Sequence, residues 1–154
     1  MQIDPRGPQV NAALTSVVLA VVLLTAPSIF GVVLLAVQAA LFAVGVLLGV
    51  QRTPAAYLFK TFVRPRLSKP GHLEDPQPPR FAQGVGLAFA LVGLAGYLSG
   101  APLLGAVATG FALAAALLNA AFSFCLGCEL YLLLRRITPR TSNTTDTPKE
   151  EAFA

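Results

Sequence analysis

The hydrophobic positions of this chain neither alternate nor mark out one helical face; they run on without interruption. From Val10 to Val50, and again from Phe81 to Cys128, no residue carries a charge. A helix crossing the hydrocarbon of a bilayer needs about 20 mostly apolar residues, so each tract is long enough for two crossings. Thr25-Ala-Pro-Ser stands near the middle of the first tract and Ser99-Gly-Ala-Pro near the middle of the second, and proline with small polar residues is turn chemistry. The pattern predicts an all-α integral membrane protein, with four transmembrane helices arranged as two hairpins. The spans fall at about residues 10–24, 28–50, 81–98 and 103–126, with a loop over 51–80. Residues 1–140 form the membrane domain, and the Thr-, Pro- and acid-rich stretch 141–154 reads as a disordered cytoplasmic tail.

Composition supports the same class, with 55% hydrophobic and only 12% charged residues over 154 positions. Charge placement adds orientation. Of the eleven Lys and Arg residues, Arg6 lies in the N-terminal arm, six (Arg52, Lys60, Arg64, Arg66, Lys69, Arg80) lie between the tracts, and four follow Leu134. Neither turn has any, so the positive-inside rule places both termini and the central loop in the cytoplasm. The net charge of +4 flanks the spans, where anionic lipid headgroups account for it. No nucleic-acid partner is expected. A cleaved signal peptide fits poorly, because the leading arm is not basic and a second apolar stretch follows at once.

The two tracts are framed alike. Asp4-Pro-Arg-Gly-Pro-Gln-Val precedes the first and Asp75-Pro-Gln-Pro-Pro-Arg-Phe the second; Tyr57-Leu and Tyr131-Leu follow them, each with Pro-Arg at the same distance. This predicts a parallel internal repeat about an axis along the membrane normal. Aligning the Tyr-Leu elements sets Cys125-Leu-Gly-Cys128 opposite Gln51-Arg-Thr-Pro54. Proline is favoured in a first helical turn, so a cytoplasmic interfacial helix is expected near Pro54, with Tyr57 to Leu67 along the inner leaflet. A straight helix from Leu103 to Leu134 would measure about 48 Å at 1.5 Å per residue, well beyond a core of about 30 Å. The chain is therefore expected to bend, at Gly127, and to continue as an interfacial helix.

Cys125 and Cys128 are the two cysteines of the chain, and three readings compete for them. As a redox pair, a C-x-x-C at a helix start can form a disulfide, and the helix N-terminus stabilises the attacking thiolate. Cys125 is then the attacking thiol and Glu129 a candidate proton carrier, although a charged Glu129 also opposes thiolate formation. As a metal site, the pair falls short of the four ligands of closed zinc sites, with His72 distant in the loop. As packing residues, both are small hydrophobes in a segment rich in small side chains. Covalent haem attachment in its usual form needs histidine after the second cysteine, where this chain has Glu129. No cofactor or metal is expected.

Asn11, Gln38, Gln83 and Asn119 lie within or at the rim of the spans and are expected to hydrogen-bond to other helices. Gly45-x-x-x-Gly49 and the looser Ala106-x-x-x-Gly110 suggest close helix contact, within the chain or in a homo-oligomer. Asp4 and Asp75 are expected to cap the starts of spans one and three.

The stretches DPRGPQVNAAL, EDPQPPRFAQGVGL and FCLGCELY together resemble a family of small bacterial integral-membrane proteins catalogued as a domain of unknown function. The resemblance runs nearly to Arg140, and F-C-x-G-C is its most specific element. It implies a four-helix protein of the bacterial plasma membrane with no assigned reaction, encoded in some cases near thioredoxin-like or sulfurtransferase proteins. The chain is expected to be a thiol/disulfide redox protein exchanging electrons with such a partner through Cys125 and Cys128. The alternative is a non-catalytic scaffold or accessory subunit.

Overall fold

The computed structural model describes residues 3–69 and 73–138. His72 and the tail expected to be disordered lie outside the described residues. Among the described residues six α-helices run in the order α1 (Arg6–Thr25), α2 (Ile29–Leu47), α3 (Pro54–Leu58), α4 (Gln77–Leu98), α5 (Pro102–Phe122) and α6 (Leu126–Ile137). Four of them, α1, α2, α4 and α5, are long and apolar enough to cross a membrane.

The turns follow from their residues. Ser28 caps α2 by accepting from the Gly31 N–H at 3.3 Å, the usual work of a serine at this position. Pro102 opens α5, where its missing N–H costs nothing, and Gly100 takes the positive φ of 80° that the turn before it requires.

The four long helices close into a bundle: α1 packs on α2 and α5, and α4 packs on the same two. Leu19, Val22, Leu35, Ala39, Phe42, Ala90, Tyr97 and Ala112 make the core. Only 17–33% of each apolar window is buried inside the protein. The outward positions are apolar as well, with Leu24 86% and Ile29 85% exposed. Patches of this extent are not tolerated in water, and lipid is the solvent that accepts them. The described Lys and Arg residues gather at one end of the bundle, with the starts of α1 and α4 and the ends of α2 and α5; neither turn at the other end has one. Arg80 donates from Nε to the Val46 carbonyl and from its terminal NH2 to that of Leu47, at 3.1 Å for the latter. It thereby satisfies the last carbonyls of α2 and complements its dipole.

Both arms start their helices in the same way. Asp4 Oδ1 accepts from the Arg6 N–H at 3.0 Å, and Asp75 Oδ1 from the Gln77 N–H at 2.9 Å. The residues just before them, Ile3 and Glu74, exchange two backbone hydrogen bonds of 2.9 Å as an isolated antiparallel bridge. After α2 the chain turns at Gly49, with φ 91°, and Thr53 caps α3 by accepting from the Ala56 N–H at 3.3 Å. Of the Gly45/Gly49 pair, then, only Gly45 makes a helix contact, against Gln83 of α4. Gly49 ends a helix, and both it and Gly110 face open space.

Helices α4 and α5 approach closely at Gly96, where an added Cβ would lie 2.5 Å from the Gly105 backbone nitrogen. A backbone neighbour cannot step aside. Gly96→Val is expected to destabilise the bundle by about 1–3 kcal/mol through overpacking, measured by SDS-titrated unfolding against Gly110→Ala, which meets open space and should not destabilise.

The cysteine junction, a candidate functional site

Helix α5 stops at Phe122 because Ser123 turns left-handed, with φ 56° and ψ 22°. A non-glycine residue there costs roughly 1–2 kcal/mol. Ser123 Oγ accepts a short hydrogen bond from the Gln9 side chain of α1, and the Ser123 N–H closes onto the Asn119 carbonyl at 3.1 Å. The chain is extended at Cys125, and α6 begins at Leu126. The break thus lies at Ser123 to Cys125 and not at Gly127. Gly127 has another role: its Cβ, if present, would lie 2.6 Å from both Cα and Cβ of Ala82, so it lets α6 dock against α4. The Phe81 and Tyr131 rings, 5.8 Å apart and tilted at 49°, complete that contact.

One side of α6 carries Leu126, Leu130, Leu133, Leu134 and Ile137, all exposed. Their i, i+4, i+7, i+8, i+11 spacing makes one stripe, suited to lying in a membrane interface.

Cys125 is the N-cap of α6, and its Sγ accepts from the Cys128 N–H at 3.4 Å. Both cysteines are free and half-buried. The Cys128 thiol also donates to Cys125 and, with the backbone N–H groups of Cys128 and Gly127, brings the Cys125 thiol down from 9.0 to about 7 against burial and the Glu129 charge. Cys128 moves the opposite way, held protonated first by its hydrogen bond to Cys125, then by burial, then by the charges of Cys125, Glu74 and Glu129. One sulfur is therefore a ready thiolate and the other a reserve thiol. Among the described residues no three His, Cys, Asp or Glu side chains come together to hold a metal ion.

Glu129, exposed in the first turn of α6, raises both thiols by its charge. Removing that charge should lower the Cys125 midpoint. Glu129→Gln is expected to shift the pH profile of Cys125 alkylation downward; an upward shift would show that Glu129 supports the thiolate instead.

A cleft of about 800 Å³ runs inward from the cysteines between α1, α4, α5 and α6. Asn11, Gln83 and Asn119 line it. These amides were expected to bond to neighbouring helices, as Gln38 does to Thr15 at 3.5 Å; instead they have no hydrogen-bond partner among the described residues. Each lies within two turns of the basic end of its helix. Their common depth is legible in the sequence, whereas their meeting at one cleft is not.

Four apolar helices, a basic end and an amphipathic helix carrying two thiols define a small helical membrane protein. The chain belongs to the family described as Domain of unknown function (DUF4395), whose model matches residues 3–136. Neither the curated proteins nor the solved structures contain a match to it.

Proposed function

We propose that this is a membrane-embedded thiol/disulfide exchanger, with the basic end and both termini on the cytoplasmic side of a bacterial plasma membrane. The observation that carries the reading is the N-cap position of Cys125, with Cys128 one helical turn on and hydrogen-bonded to it. The Cys125 thiolate attacks one sulfur of a partner disulfide, forming a mixed disulfide and expelling the other partner sulfur as thiolate. Cys128 then gives up its proton, with the exposed Glu129 carboxylate as acceptor, and attacks Cys125 Sγ. The bond to the partner breaks, the Cys125–Cys128 disulfide forms, and the partner leaves reduced by two electrons. Run in reverse, the same steps load the pair with electrons from a reduced partner. Thioredoxin-like or sulfurtransferase proteins supply the thiol chemistry that fits this exchange.

Thiols of the purified protein, counted by maleimide mass shift across a glutathione series, are expected to disappear together as a two-electron couple. Thiols that stay inaccessible until denaturation, or never pair, would sink the exchanger and leave the scaffold reading.

A further inference from the structure

The proposed exchange moves electrons in pairs, and the cleft beside the thiols offers a place for their membrane-side acceptor. We propose that this cleft binds the ring of a lipid-soluble quinone, an inference that rests on the thiol-exchange reading. The cleft extends from Cys125 and Cys128 at its mouth to Phe42, Phe89 and Phe111 at its inner end. Phe89 and Phe111 stack with centroids 6.0 Å apart and planes 26° from parallel, and Phe111 is 61% exposed. A cleft filled by acyl chain would leave the amides of Asn11, Gln83 and Asn119 desolvated and unpaired, which is unfavourable for any buried donor or acceptor. A planar ring with two carbonyl acceptors answers both features: the amide N–H groups donate to its oxygens, and the phenyl rings pack on its faces. Phe111 both lines the cleft and is exposed on α5, so a prenyl tail leaving past it would meet lipid.

The step balances. The Cys125 thiolate and Cys128 thiol form one S–S bond and release two electrons; the quinone takes the pair, the Cys128 proton and one proton from water, and both oxygens become hydroxyls. The chain is oxidised and the quinone is reduced to hydroquinone.

The test is an anaerobic titration of the reduced full chain in detergent micelles with decylubiquinone, with protein-free micelles subtracted. Binding is followed by calorimetry and hydroquinone by absorbance. One saturable site per chain is expected, retained in Cys125→Ser/Cys128→Ser and weakened at least tenfold in Asn119→Leu and in Gln83→Leu, both checked for unchanged helicity. One hydroquinone should appear for every two thiols lost. Absence of saturable binding in both the wild type and the cysteine-free variant overturns the quinone site whatever the thiols do in the glutathione series. Saturable binding with thiols that stay reduced overturns the electron transfer and, with a failed glutathione titration, traces the failure to the exchanger itself.

Discussion

At pH 7, iodoacetamide is expected to label Cys125 well before Cys128, with the rate of the first modification rising through a midpoint near 7, because Cys125 is brought to about that value. The more telling variant is Cys128→Ala. It removes the largest cause of the lowered Cys125 pKa, the thiol donor, and leaves burial and the Glu129 charge still opposing the thiolate. The midpoint should return toward 9.0, the ordinary value. At pH 7 the thiolate fraction would then fall about fifty-fold, while the greater nucleophilicity of the more basic sulfur recovers part of that, leaving a net loss of about five- to tenfold. Cys128→Ser keeps a hydroxyl donor and should hold much of the shift. If the alanine variant keeps its midpoint near 7, the backbone donors at the start of α6 hold the thiolate alone, and the pairing of the two sulfurs contributes little to it.

The second large effect is expected at Gly127. A valine there drives into Ala82 of α4, at a position where even a Cβ would come within 2.6 Å of backbone. Helix α6 must lift from α4, separating Phe81 from Tyr131. The expected loss is about 1–3 kcal/mol in SDS-titrated unfolding, with the Cys125 alkylation midpoint moving upward as the cap geometry loosens. Gly127→Ala should do the same in milder form, and Ala82→Gly added to it should recover part of the loss, as contacting residues couple in a double-mutant cycle. Independent, additive effects would show that the two residues do not share a contact.

These expectations draw on the sequence unevenly. The four long helices were legible because unbroken apolar tracts and turn prolines speak through composition alone, and Pro54 marked the start of α3 by the same local chemistry. The end of α5 was not legible: serine carries no propensity for the left-handed conformation, and Ser123 is held there by Gln9, a partner more than a hundred positions away. Gly127 looked like a bend because glycine breaks helices, yet its missing side chain serves a tertiary contact with Ala82. Gly49 shows the converse, a glycine in a helix-contact motif that acts as a local terminator. The cysteines themselves stood out by spacing, but their opposite protonation depends on which sulfur caps the helix, and one residue of register decides that. The unpaired state of Asn11, Gln83 and Asn119 is hidden for a related reason: their depth is set by counting along each helix, whereas their direction depends on rotations that only packing fixes.

The bridge between Ile3 and Glu74 has a practical side. It fastens the segment ahead of α1 to the segment ahead of α4, and the charge of Glu74 acts on Cys128. Trimming or re-engineering the residues around Ile3 therefore loosens a clasp whose other half helps keep the reserve thiol protonated. The bridge thus links the entry to α1 with the electrostatic surroundings of Cys128 at the same end of the bundle.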